Sequence, residues 1–343
     1  MKKLLNTLFV TTEGARLSRD GETVLVKIEN DTKLRVPIHT LSGIVCIGRV
    51  CCSVPLMALC GERKVAISFL NERGRFLARV QGPVSGNVML RREQYRWADK
   101  EDASARIARA VVIAKVANCR TVLQRGAREY PDSPGASALS SAAADLAQML
   151  DGLREGTSLN VVRGCEGDSA RTYFSVFDHL ITAQKEEFFF KGRNRRPPLD
   201  NMNSLLSFLY TLLAHDVAAA LEAVGLDPAV GYLHRDRPGR PGLALDLMEE
   251  LRPILADRLA LSLVNRQQVR GKGFTKSETG AVMMDAETRK ALLVTYQTRK
   301  QEEIVHPFLG EKVEVGLLPH VQAMLLARHI RGDLDNYPPF IWR

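Results

Sequence analysis

Up to about residue 85 the apolar positions of the chain fall in short runs, several alternating with polar ones, and turn residues separate the runs. Lys3 to Val10, Ala15 to Arg19, Glu22 to Glu29, Lys33 to Pro37, Gly43 to Ile47, Val65 to Phe69 and Arg75 to Val80 are therefore expected to be strands. Asp20-Gly21 between two such runs is a hairpin signal, since a two-residue turn needs a positive φ that glycine adopts freely. One short helix is expected after Ser53, with the serine as cap and Pro55 in the first turn. The glycines and proline of Gln81 to Gly86 mark a junction. From about Asn87 the apolar spacing becomes helical. Helices are expected over Ala103 to Arg125, Ala138 to Arg154, Asn160 to Phe190, Leu199 to Val224, Leu243 to Asn265, Asp285 to Glu303 and around Val315 to Arg331, with Phe274 to Met284 a small hairpin. The pattern predicts an α+β chain: a small N-terminal β-sheet domain, β-sandwich-like, over 1–86, then a larger all-α domain over 87–343.

Composition narrows the class. With 45% hydrophobic and 25% charged residues, the 343-residue chain is neither a disordered tail nor a fibre. The longest uncharged stretch, Asn201 to His215, is too short to span a bilayer. The apolar part of the first residues, Leu4 to Val10, is broken by Asn6 and Thr7 and precedes no small-residue cleavage site, so it reads as a strand and not as an export signal. Cys46, Cys51, Cys52, Cys60, Cys119 and Cys165 lack the paired C-x2-C spacing of a zinc site, and the first four sit among aliphatic residues. Buried free thiols in a cytoplasmic protein are the expectation. A net charge of +9 suits a polyanionic partner without separating DNA, RNA and phosphorylated metabolites.

Three constellations in the helical part could carry chemistry. Arg163-Gly164-Cys165-Glu166-Gly167 sets an acid between two glycines, each a cost of about 1 kcal/mol to a helix. Either something approaches Glu166 closely, or the acid caps a first helical turn. Gly231-Tyr232-Leu233-His234 leads into Arg235-Asp236-Arg237-Pro238-Gly239-Arg240: the histidine is a metal ligand or proton-transfer group, or a bystander in a loop. Asp246 and Glu249 share a helical face at i and i+3, so they bracket a cation or form a solvated acidic face. Together, carboxylates with one imidazole suit Mg²⁺ or Mn²⁺. Arg193, Arg195 and Arg196 upstream, and Arg266, Arg270 and Lys272 downstream, add the positive charge that phosphodiester chemistry uses.

The ordered set Arg195-Arg196-Pro197-Pro198-Leu199-Asp200, Asn203 to Tyr210, Gly231 to His234 and Asp246-Leu247-Met248-Glu249-Glu250-Leu251-Arg252-Pro253 resembles the CRISPR-associated integrase of the adaptation (spacer-acquisition) module. Val80 to Val88 resembles its type I-C branch. The resemblance implies a β domain followed by a helical one. It implies an Mg²⁺ or Mn²⁺ ion held by Glu166, His234 and Glu249, a supporting acid at Asp246 and a hydrogen-bonding or helix-packing asparagine at Asn203. The implied reaction is attack of a DNA 3′-hydroxyl on a phosphodiester of the repeat array, inserting a short captured fragment in antiviral defence. Double-stranded DNA, a second copy of the chain and a small dimeric companion protein are the implied partners, with no membrane. Arg193, Arg195, Arg196, Arg235, Arg237, Arg240, Arg266, Arg270 and Lys272 are the candidate DNA contacts. Alternatives are a generic metal-dependent nuclease on branched DNA or RNA and a non-catalytic DNA-binding scaffold. A phosphometabolite enzyme is disfavoured by the lack of a Walker A or G-x-G-x-x-G loop.

Overall fold

The computed structural model describes residues 6–29, 31–72, 74–83, 88–153 and 156–342. Lys3 to Leu5 of the first expected strand, Val84 to Asn87 around the expected junction and Arg154 at an expected helix end lie outside the described residues. The chain divides into two compact units: Met1–Ser85 with Met284–Glu302 and Glu314–Leu317, and Gly86–Met283 with Glu303–Val313 and Leu318–Arg343.

The first unit carries β1 (Asn6–Val10), β2 (Arg16–Asp20), β3 (Thr23–Ile28), β4 (Asp31–Pro37), β5 (Leu41–Ile47), β6 (Cys51–Cys52), α1 (Val54–Arg63), β7 (Ala66–Leu70) and β8 (Phe76–Val80). They form two four-stranded sheets, ordered β1-β5-β7-β8 and β4-β3-β2-β6. The Asp20-Gly21 hairpin is present: β2 and β3 pair antiparallel with Asp20 opposite Thr23, and Gly21 takes φ 57°. β5 and β7 are parallel, a pairing that needs a crossover, and α1 supplies it. One apolar cluster draws on both sheets and on α1, through Leu17, Val24, Val26, Ile44, Leu56, Leu59 and Ile67. Its cysteines, Cys46 and Cys60, are free thiols whose burial pushes both up to about 12. Cys51 departs from the buried-thiol expectation: it is exposed, because it lies on the two-residue edge strand β6.

The second unit is helical: α2 (Val88–Ala98), α3 (Glu101–Glu129), α4 (Ala136–Asp151), α5 (Leu159–Ser175), α6 (Asn201–Val224), α7 (Gly242–Glu249) and α8 (Arg258–Asn265). Then come the small hairpin β9 (Phe274–Lys276) and β10 (Val282–Met284), and α9 (Ala286–Gln301), which belongs to the first unit. Within that unit Gln297 donates to the Thr7 carbonyl at 2.8 Å, so the chain returns across the boundary drawn at residue 86. A further ribbon, β11 (Glu303–Val305) with β12 (Lys312–Glu314), and α10 (Leu318–Ile330) complete the order. The 29-residue α3 packs against α4, α5 and α7. α6 is the one described helix long and apolar enough to cross a membrane, yet it is largely buried, with α7 and α10 packed on it and Leu205, Leu209 and Leu213 inside.

Two expected helices are cut short. The helix from Asn160 ends at Ser175 and not at Phe190. A short 3-10 turn, Phe177–Leu180, follows, and the chain then doubles back so that Phe190 packs on Phe174 and Phe177 at 5.5 and 4.9 Å between ring centroids. Asp178 closes the bend, accepting from the Phe190 amide and the Lys185 ammonium, both at 2.7 Å. The helix expected over Leu243 to Asn265 breaks after Glu249. Pro253 has no N–H to return to the carbonyl four residues back, and a π turn over Pro253–Asp257 separates α7 from α8.

Candidate active site

Four segments of the helical unit converge on one buried polar cluster. α3 contributes Lys115, α5 contributes Glu166, α7 contributes Asp246 and Glu249, and the segment between α6 and α7 contributes His234. Glu166 stands in the middle of α5, so the alternative of a capping acid in a first turn falls away. Its two glycine neighbours have open space where a Cβ would point.

Lys115, nearly buried, places its ammonium between two carboxylates. It hydrogen-bonds Glu166 Oε1 and lies 2.8 Å from Glu249 Oε2. The other oxygen of Glu249, a residue only 1% exposed, accepts from Arg252 Nη1 at 2.5 Å. Burial opposes ionisation of Glu249, but Arg252, Lys115 and His234 outweigh it and hold the carboxyl at about 2. Burial likewise disfavours the ammonium of Lys115, and Glu249 and then Glu166 overcome it, lifting that group above the ordinary lysine range.

Asp246 shapes the histidine segment. Its Oδ2 accepts from the amides of Tyr232 at 2.6 Å and Leu233 at 2.9 Å, and its Oδ1 from the amide of His234 at 2.9 Å. The same Oδ1 lies 2.6 Å from His234 Nδ1. A carboxylate accepts only, so Nδ1 carries a proton, and in the neutral ring Nε2 presents its lone pair, 4.0 Å from Glu249 Oε1. Arg163 adds a bond from Nε to the Leu233 carbonyl at 2.7 Å. Gly231 is required here: a Cβ would sit 2.7 Å from the Gly242 carbonyl carbon and 2.8 Å from Asp246 Oδ2. That contact pinches the base of the loop bearing Arg235, Arg237 and Arg240, the first two exposed and the third half-buried.

The remaining sequence candidates separate. Asn203 is fully buried and saturated: Oδ1 accepts from Arg193 Nη1 and the Asn194 amide, and Nδ2 donates to the Gly192 carbonyl and Asp200 Oδ2. It thus ties the 192–200 loop to the start of α6. Arg193 is spent inside the fold, on Asn203, Ser207 and the Asn194 carbonyl, with its guanidinium 5.1 Å from the Tyr210 ring. Arg195, Arg196, Arg266, Arg270 and Lys272 are exposed.

Two residues that sequence reasoning left unassigned complete the cluster. Lys115 is the single charge between Arg109 and Arg120, on the apolar face of α3 with Val111 and Cys119. That isolation was the available signal. Arg252, three residues after Glu249, also stacks on Tyr210 at 4.9 Å. The Tyr210 hydroxyl donates at 2.7 Å to Asp257, a buried acid of the π turn. Burial raises the Asp257 carboxyl to about 6, against the opposing pull of Tyr210, Arg252 and Arg193. The native state therefore holds a proton that the unfolded chain releases near 3.8, and this contribution to stability is complete below that value and lost as pH rises through 6. Asp257→Asn mimics the protonated acid. Its unfolding free energy relative to the unsubstituted protein should rise by about 2–3 kcal/mol between pH 4 and pH 7.5. Urea melts across that range check it, and parallel curves would mean that Asp257 is ionised in the fold.

A model of the family described as CRISPR associated protein Cas1 matches residues 8–298. The CRISPR-associated endonuclease Cas1 1 of Chlorobaculum tepidum is 56% identical over 343 residues, covering 100% of both chains. CRISPR-associated endonuclease Cas1 2 of Rhodospirillum rubrum is 51% identical over 348 residues, again covering 100% of each. Among solved structures, a Cas1 protein from Thermotoga maritima superposes with TM-score 0.82 over 96% of this chain and 97% of that one, at 23% identity. The β-then-α architecture is thus that of a solved Cas1 protein. The chain belongs to the Cas1 family of CRISPR-associated endonucleases.

Proposed function

We propose that this Cas1 protein is the integrase of a CRISPR adaptation module, type I-C-like, which inserts short double-stranded DNA fragments into a repeat array. The observation that carries the reading is the convergence of Glu166, Glu249 and the free Nε2 side of His234 in one buried cluster, in a chain that matches CRISPR-associated endonucleases over its full length.

The donor set fits a hard divalent ion. Two carboxylates and one imidazole are oxygen and nitrogen donors of the Mg²⁺ or Mn²⁺ kind, and the acidic pair already holds a cation, the Lys115 ammonium. As the side chains stand, no three His, Cys, Asp or Glu among the described residues are grouped closely enough to hold an ion, and the Lys115 ammonium lies between the two acids. Glu166, Glu249 and His234 would hold the ion, which when bound polarises a phosphoryl oxygen and activates the attacking hydroxyl. Asp246 fixes the imidazole tautomer, and Arg252 holds Glu249 in place. The protein acts in the cytoplasm as a homodimer joined to a small dimeric companion protein. The test is a joining assay on a repeat-bearing duplex. Fragments with free 3′-hydroxyls should be inserted and fragments with blocked ends should not; cleavage indifferent to the end would favour a generic nuclease.

Arg235, Arg237 and Arg240, on the loop that leaves His234, hold DNA phosphates beside the site, aided by Arg195, Arg196, Arg266, Arg270 and Lys272. Replacing the three loop arginines by alanine should weaken binding to every duplex by a similar factor, since guanidinium–phosphate bonds position the backbone without reading bases. The salt dependence of log K should flatten by about 0.9 per lost phosphate contact. Titrations at several salt concentrations check it. An unchanged slope leaves these arginines as solvated surface.

A further inference from the structure

We propose that Lys115 is the resident cation of this site: its ammonium holds the position between Glu166 and Glu249 that the divalent ion takes in the working enzyme, so the ion enters by exchange. The inference rests on the reading of those two acids as ion ligands.

The geometry points to exchange and not to a fixed strut. Lys115 rises from the core face of α3 with its side chain 8% exposed, and it meets acids from two other helices. Glu249 is closed to solvent at 1% exposure, whereas Glu166 on α5 is 27% exposed. An ion arriving from solvent therefore meets Glu166 first, on the open side of the ammonium. The Glu249 oxygen turned away from Lys115 is already taken by Arg252 at 2.5 Å. The oxygen of Glu249 that an ion can share with Glu166 is the one facing Lys115.

Charge leads to the same assignment. Lys115 and Arg252 balance Glu166 and Glu249, so neither acid facing the ion position is uncompensated in the free protein, and the third acid, Asp246, is spent on the Tyr232–His234 segment. A divalent ion that displaces the ammonium, which stays tethered nearby on α3, leaves these four side chains with an excess of two positive charges. That excess disfavours the ion in the free protein and is relieved when the anionic DNA backbone arrives. Lys115 thus ties ion uptake to DNA capture, and removing its charge removes the competitor.

The test is Mn²⁺ binding in the absence of DNA, read by electron paramagnetic resonance of the free ion, on the unsubstituted protein, Glu166→Gln, Lys115→Gln and Lys115→Arg. Lys115→Gln should bind Mn²⁺ about tenfold more tightly, the scale of removing one like charge a few ångströms away. Its melting temperature should be lower without metal and rise further on Mn²⁺ addition than that of the unsubstituted protein. Lys115→Arg keeps the charge in a larger head and should bind Mn²⁺ no more tightly than the unsubstituted protein; it carries the test if the glutamine variant does not fold. Tight Mn²⁺ binding by Lys115→Arg overturns the exchange. So does unaltered affinity in Lys115→Gln when Glu166→Gln abolishes binding, which leaves the ion site standing. Equal Mn²⁺ binding with and without the Glu166 charge overturns the ion site itself.

Discussion

Glu166→Gln and His234→Ala should each reduce joining of a 3′-hydroxyl fragment by about 10³-fold or more, the scale of several kcal/mol of lost charge stabilisation at a reacting phosphate. Duplex affinity should change by no more than about threefold, because phosphate positioning falls to other side chains. Both residues are part-exposed, so neither variant leaves a large buried cavity. Glu166→Gln still lets Lys115 pair with Glu249, and His234→Ala still leaves Asp246 its three backbone donors. Glu249 would be a poorer test. Its removal strands Arg252 and leaves Lys115 only the part-exposed Glu166, and breaking a buried pair costs about 3–5 kcal/mol, enough to confuse loss of chemistry with loss of fold. Binding and joining measured on the same preparations decide. Parallel loss of both would mean that Glu166 and His234 maintain structure.

Much of this site was legible as spacing. Asp246 and Glu249 at i and i+3 on one helix, and a histidine ahead of a Gly/Pro-rich loop, are local patterns that a sequence exposes directly. What joined them was not local. Lys115 lies far from Glu166 along the chain, and its role depends on α3 packing against both α5 and α7. A lysine alone on an apolar helical face signals only that something must neutralise it; which acids do so is decided by tertiary packing. Arg193 shows the converse. Its place in a basic run suggested a surface, yet Asn203, Ser207 and the Tyr210 ring draw it inward.

The fold divides the same way. The β2–β3 hairpin followed from Asp20-Gly21 because its contacts are short-range. The parallel pairing of β5 with β7 did not, since alternation marks a strand and not its partner. The two overextended helices have different causes. Pro253 was a visible breaker inside an otherwise helical pattern. The end of α5 was hidden, because Phe188, Phe189 and Phe190 continue an apolar pattern and only the Asp178 bend and the aromatic packing turn the chain away. The return of α9 to the first unit rests on tertiary contacts such as Gln297 with Thr7.

Asp246→Asn should cut joining by about 10²–10⁴-fold while leaving the protein folded, and the reason lies in one proton. Asp246 now accepts four contacts, from the amides of Tyr232, Leu233 and His234 and from His234 Nδ1. An amide has one accepting oxygen and one donating NH₂, so either orientation sets a donor against a donor. With the oxygen toward Tyr232 and Leu233, the NH₂ faces the His234 amide and Nδ1. The ring satisfies that donor by moving its proton to Nε2, which removes the lone pair now presented toward Glu249. One backbone donor is left unpaired, at about 1–3 kcal/mol, a loss that a domain of this size can sustain without unfolding. Nitrogen NMR of the imidazole separates this account from a general loosening of the loop. The substituted protein should show the Nε2-protonated tautomer, and the unsubstituted one the Nδ1-protonated form. A switched tautomer with undiminished joining would mean that the Nε2 lone pair has no part in the reaction. Lost joining with the original tautomer would assign Asp246 to holding the Tyr232–His234 backbone alone.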